Sequence, residues 1–162
     1  MTAIQSNTAR TVACLIAACA SLPALATPPP PAPCRFEAPA DLDAAPARWL
    51  GDCQQGAADG LGIVRAGTAE PYAFFAGRMQ DGRPAQGVLL LHEGGLMAAV
   101  RFDAALRAVS SDGLHPDEDD RVFAQARAAA LETAARLRQQ GNRASADYYT
   151  ALARRIDDSR AE

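Results

Sequence analysis

The sequence predicts an α+β fold, an antiparallel β-hairpin meander followed by a C-terminal antiparallel helical hairpin. Two observations carry this. An aromatic–glycine unit beginning at Trp49 recurs, position for position, from Phe75. Past Gly113 the apolar residues change from alternation to helical spacing.

Residues 1–26 read as a secretory signal. Arg10 is their only charge, Thr11 to Leu22 is an apolar run too short to span a bilayer, and Pro23 breaks it. Ala24-Leu25-Ala26 suits cleavage after Ala26, the favoured reading. Ile16-Ala17-Ala18-Cys19 resembles a bacterial lipobox, and processing there would lipidate Cys19. Either route exports the chain, to the periplasm or medium in the first case and to the outer membrane in the second.

Residues 27–47 form a Pro/Ala-rich linker and an irregular segment. Thr27 to Pro33 suits an extended polyproline spacer. Cys34 and Cys53 are the two cysteines left after either form of processing. In an oxidising compartment they are expected to bond, stapling the irregular segment to the first hairpin. Neither is a Cys-x-x-Cys, and His92 and His115 lack ligand-like spacing, so no metal or cofactor is implied.

Residues 48–109 hold the repeats. Trp49, Gly51 and Cys53 share one face of a strand, with room over Gly51 for a ring from a neighbouring strand. Gln54 to Gly60 reads as the turn and Leu61 to Arg65 as the return strand. In the second copy Phe75 replaces Trp49, Gly77 replaces Gly51, Met79 replaces Cys53 and Gly82 replaces Gly56, with Val88 to Leu91 returning. A third, degraded copy starts near Ala98, placing Val100 and Phe102 at the end of a final strand.

Trp49, Gly51, Gly56, Gly60 and Gly62 together resemble a MORN repeat, a hairpin unit that stacks into a twisted meander. The second copy, Phe75, Gly77 and Gly82, departs from the pattern. Gln86 and Val88 occupy its late glycine positions and Gly87 falls between them. A one-residue bulge or a diverged turn would account for the offset, and an ordinary meander with glycine turns is the alternative to the family reading. The resemblance covers residues 48–102. It implies a scaffold or contact surface and carries no catalytic residues.

Residues 110–162 form the helical hairpin. Ser110 to Gly113 is a turn, Pro116 suits the first helical position, and Asp117, Glu118 and Asp119 complement the helix dipole. Val122, Ala126, Ala129, Thr133 and Leu137 recur at helical spacing. Gly141-Asn142 caps this helix, and a second runs from about Ser145 to Asp158 with Tyr148, Tyr149, Leu152 and Ile156 on its apolar side.

Three polar groupings invite sharper readings. Asp117 to Asp120 lack the glycine and terminal glutamate of a calcium loop, so dipole complementation is the plainer account. Arg136, Arg138, Arg143, Arg154 and Arg155 gather near the inter-helix turn, as a solvated, salt-bridged face or as a surface for anionic lipid or an acidic partner. His92-Glu93 is read as following a strand, where neighbours face opposite ways and do not act jointly.

The 16 basic residues are all arginine and stand against 19 acids. Loss of Arg10 with the signal leaves 15 against 19, a net charge of −4, which disfavours nucleic acid. No hydrolase, zinc-protease or phosphate-loop motif occurs. The leading expectation is a non-catalytic envelope protein that binds another envelope protein through the meander or the helix pair, touching membrane only if lipidated at Cys19. The alternatives are a small periplasmic hydrolase of glycan or peptide and an outer-membrane lipoprotein contacting lipid or polysaccharide.

Overall fold

The computed structural model describes residues 33–42 and 44–160. The signal, Cys19 and residues 27–32 of the proline-rich stretch lie outside the described residues.

Five strands form one antiparallel sheet in chain order: β1 (Ala47–Gln54), β2 (Ala57–Ala66), β3 (Ala73–Gln80), β4 (Arg83–Leu90) and β5 (Leu96–Ala99). β6 (Arg101–Phe102) and β7 (Ala108–Val109) pair separately, and α1 (Pro116–Gln139) and α2 (Arg143–Asp158) follow. The α+β meander with a C-terminal helical hairpin is therefore the fold.

The hairpin turns are tighter than the sequence suggests. β1 and β2 are joined by Gln55 and Gly56, at φ 50° and 78°, and β3 and β4 by Asp81 and Gly82, at φ 50° and 84°. Two residues with positive φ give the turn whose twist matches that of the flanking strands. Gly60, expected in the turn, instead sits inside β2 with φ 87°. The register shifts there, between Gly51↔Gly62 and Cys53↔Ala58. The return strand β4 likewise starts at Arg83 rather than Val88.

The second copy contains a shorter irregularity. Arg78 pairs with Gln86 and Met79 with Pro84, leaving Ala85 extra. This bulge shifts Gly87 into the place that Gly62 holds in the first copy. The result is a row across the sheet in which Gly51, Gly62, Gly77 and Gly87 are successive cross-strand partners, ending at Ala99.

Rings cover this row. Trp49 lies over Gly51 and Gly62, and Phe75 lies over Gly77 and Gly87. A Cβ on Gly62 would fall 2.5 Å from the Trp49 ring, and one on Gly87 2.7 Å from the Phe75 ring. The ring over Gly51 therefore belongs to its own strand, not to a neighbour. Its side chain leans along the strand onto the residue two positions on, where only a glycine leaves space.

The third hairpin is short and stands apart from the five-stranded sheet. β5 pairs with β4, the chain bends at Val100, and β6 turns away to pair with β7. Phe102 then packs against Phe75, with ring centroids 5.5 Å apart and an interplanar angle of 83°.

The sheet is covered on both faces. On one, Ile63, Phe74, Ala76, Val88 and Leu90 pack against Val122, Ala126 and Ala130 of α1 and Tyr149, Leu152 and Ile156 of α2. Alanines on both helices let the two axes approach closely. On the other, Trp49, Val64, Phe75 and Leu89 lie under Phe36, Ala38 and Leu42 of the N-terminal segment and under Phe102 and Ala108.

The N-terminal segment is held by both hairpin turns. Arg35 N–H donates to Gly56 O at 2.9 Å, and Glu37 N–H to Gly82 O at 2.8 Å. Ala108 N–H donates to the Asp41 carboxylate at 2.7 Å. The Cys34–Cys53 disulfide, with Cα atoms 5.6 Å apart, fastens the start of this segment to β1. Such a bond belongs to a protein folded in an oxidising location.

Gly141, at φ 80°, ends α1 with N–H bonds from Gly141 to Arg138 O and from Asn142 to Leu137 O. Asn142 also begins α2, its side chain accepting from Ser145 N–H at 3.2 Å. The second helix consequently starts at Arg143, two residues earlier than its apolar side indicates.

Candidate functional site

A polar concavity lined by tyrosines lies where the β2–β3 connection meets the start of α2. Arg65 shares a face of β2 with Ile63, the helix face, because strand side chains alternate. Gly67, at φ 108°, opens the connection, and Tyr72 closes it just before β3. These two ends bring Arg65 and Tyr72 together. The guanidinium carbon stands 4.6 Å from the Tyr72 ring centroid.

Three tyrosines, Tyr72, Tyr148 and Tyr149, form the wall, backed by the buried Phe74. Tyr72 meets Phe74 edge-on at 6.0 Å, Phe74 meets Tyr149 edge-on at 6.2 Å, and Tyr148 meets Tyr149 edge-on at 5.4 Å. Ala144 and Ser145 from the first turn of α2 complete a cavity of about 270 Å³, with Glu70 at its edge. Burial pushes the Tyr149 hydroxyl up to about 12, against the opposing charge of Arg65. Burial, then Glu70, raises that of Tyr148. Both phenols stay protonated at neutral pH and can donate.

Arg65 takes part in none of the ion pairs among the described residues. A half-buried guanidinium, stacked on one tyrosine and facing another, is thus presented to the cavity.

The other polar groupings resolve differently. His92 and Glu93 are not on a strand but in a turn after β4, closed by Leu91 N–H to Gly95 O at 2.9 Å. They line a larger groove of about 710 Å³ with Asp41, whose carboxylate already holds Ala108 N–H. Neither His92 nor Glu93 makes a side-chain hydrogen bond among the described residues.

The acids at the start of α1 are dispersed. Asp117 pairs with Arg121, Asp119 accepts from Ser111 Oγ at 2.8 Å, and Asp120 pairs with Arg160 at 2.9 Å. Among the described residues no three His, Cys, Asp or Glu side chains are placed to hold a metal.

Of the five arginines near the inter-helix turn, two are engaged within the chain. Arg136 reaches Leu50 O at 3.2 Å and Asp52 at 3.2 Å on β1, and Arg138 pairs with Asp147 at 3.1 Å. No described helix is long and apolar enough to cross a membrane.

The repeat-defining residues are framework. Trp49 is 8% exposed and Phe75 fully buried, and Gly56 and Gly82 serve the turns. Helical spacing puts Tyr148 and Tyr149 on the apolar side of the second helix, whereas Arg65, Glu70 and Tyr72 belong to no motif. The signal for those three is faint: a charge at a strand end and an aromatic seven positions on, across a Gly/Pro-containing connection.

Comparison of the chain with protein-family models, with curated proteins and with solved structures finds no match.

Proposed function

We propose that this is a non-catalytic exported envelope protein acting as an interaction module on a MORN-like scaffold. The partner is another envelope protein, met at the end of the molecule formed by the β2–β3 connection and α2. The observation that carries this reading is the covering of both sheet faces by the chain itself. A meander whose Trp49–Phe75 face lies beneath residues 34–42 and β6–β7 has no free face for a partner. The concavity at Arg65, Tyr72 and Tyr148 combines aromatic area with a charge, the composition enriched at binding hot spots.

The disulfide supports export. A periplasmic or secreted form cleaved after Ala26 is the favoured localisation, with a Cys19 lipoprotein as the alternative. Intact mass of the protein from its host separates them, starting at Thr27 in one case and at an acylated Cys19 in the other.

The reading is tested by photo-crosslinking from exposed positions 69 and 147 in intact envelopes, with position 113 as a distant control. A discrete adduct from the first two and not the third is the expected result. No adduct from either overturns it. Trp49→Ala and Phe75→Ala are unsuitable contrasts, because both would open the core.

A further inference from the structure

We infer that the Arg65 cavity binds a terminal carboxylate, that of a free amino acid or of the end of a peptide. The inference rests on the reading of the protein as a binding module and names the chemistry of its site.

Three observations point to a carboxylate. Arg65 is held by its stacking on Tyr72, so the planar fork of the guanidinium is preorganised for a planar two-oxygen acceptor. Its charge is not used in an ion pair among the described residues. Protonated Tyr148 and Tyr149 add hydroxyl donors beside Arg65, and Ala144 and Ser145 bring the positive end of α2 to the same cavity.

Size and sign restrict the ligand further. A cavity of about 270 Å³ admits an amino-acid-sized group and little more. Glu70 lines it too and disfavours a polyanion such as a phosphate ester. In a free amino acid, Glu70 is placed to meet the ammonium group. In a peptide end, that nitrogen is an amide and Glu70 is not needed.

The test is a titration of the oxidised, processed protein followed by backbone and arginine side-chain NMR, with alanine, N-acetylalanine, alanyl-alanine and acetate as probes and chloride at matched ionic strength as control. Saturable shifts confined to Arg65, Tyr72 and residues 144–149 are expected with the amino-acid probes and absent with chloride. Arg65→Gln should weaken binding about tenfold or more, as loss of a charged hydrogen-bonding partner does. Glu70→Gln, at an exposed position, should weaken alanine alone if the ligand is a free amino acid and leave all probes unchanged if it is a peptide end.

Unsaturable shifts, or shifts equal to those of chloride, overturn the inference while leaving the crosslinking result to stand by itself. Cleavage of alanyl-alanine in the same samples, abolished by Arg65→Gln, would instead overturn the non-catalytic reading and keep the site.

Discussion

The Trp49 indole spans two glycines, Gly51 on its own strand and Gly62 on the next, and leaves neither room for a side chain. The same arrangement recurs at Phe75 with Gly77 and Gly87. Each aromatic thus fills the space that its glycine pair vacates, and the two units share one glycine row.

Gly62→Ala and Gly87→Ala are therefore expected to destabilise the fold by at least the roughly 1–3 kcal/mol typical of overpacking. Gly95→Ala is the control, since nothing lies within 4 Å of its Cβ position and its φ is not in the left-handed region. That variant should stay within about 0.5 kcal/mol of the parent. Urea unfolding followed by Trp49 fluorescence reads all three.

The two hairpin turns respond differently to the same change. Gly56→Ala meets only the left-handed backbone penalty, about 1–2 kcal/mol, because the space around it is open. In Gly82→Ala the new methyl also comes 3.0 Å from the Arg35 carbonyl, where the N-terminal segment crosses the turn. Gly82→Ala should be the more damaging, and equal losses in thermal unfolding would count against this crossing.

Breaking the Cys34–Cys53 bond by a Cys34→Ala, Cys53→Ala double substitution should lower stability by about 3 kcal/mol, the loop-closure value for a separation of 19 residues. The loss should be accompanied by faster proteolysis within residues 34–42, which depend on that anchor. Unchanged urea midpoints for oxidised and reduced protein would contradict it.

Thr133 is the buried polar residue of α1, and its hydroxyl donates to Leu50 O at 3.0 Å. Arg136 donates to the same oxygen. Thr133→Val keeps the volume and removes one donor, so a loss of about 0.5–1.5 kcal/mol is expected. Thr133→Val combined with Arg136→Met should cost more than the separate losses added together, since the Leu50 carbonyl then has no side-chain donor.

Alkaline pH should destabilise the protein through Tyr149. Its folded pKa is raised by burial from 10.0 to about 12. Below pH 10 the hydroxyl is protonated in both states and the stabilisation is fully present. Between 10 and 12 the unfolded chain releases the proton that the folded one retains, so stability falls as pH rises through this window. Tyr149→Phe should flatten that fall in denaturation midpoints measured across it.

Much of this architecture is legible in sequence because it is local. The recurrence of aromatic, glycine and turn glycine from Trp49 to Phe75 marks two hairpins. Pro116, Gly141 and the apolar spacing between them mark α1 almost to the residue. The first turn is shorter than the sequence suggests because Gly60 carries the same signal as a turn glycine, although its positive φ serves a bulge. Periodicity likewise put the start of α2 at Ser145, since Arg143 and Ala144 lie outside its apolar side while Asn142 sets the cap.

The hairpin meander, the helix pair and the bonded cysteines are each written in residues near one another or in a count of two. Packing of the layers is what lays residues 34–42 over one face of the sheet and the helices over the other. The same packing brings Arg65 and Tyr72 into one cavity with Tyr148 and Tyr149. Arg65 and Tyr72 stand more than seventy residues from Tyr148 and Tyr149, and such pairings follow from how the layers pack, which no local spacing encodes.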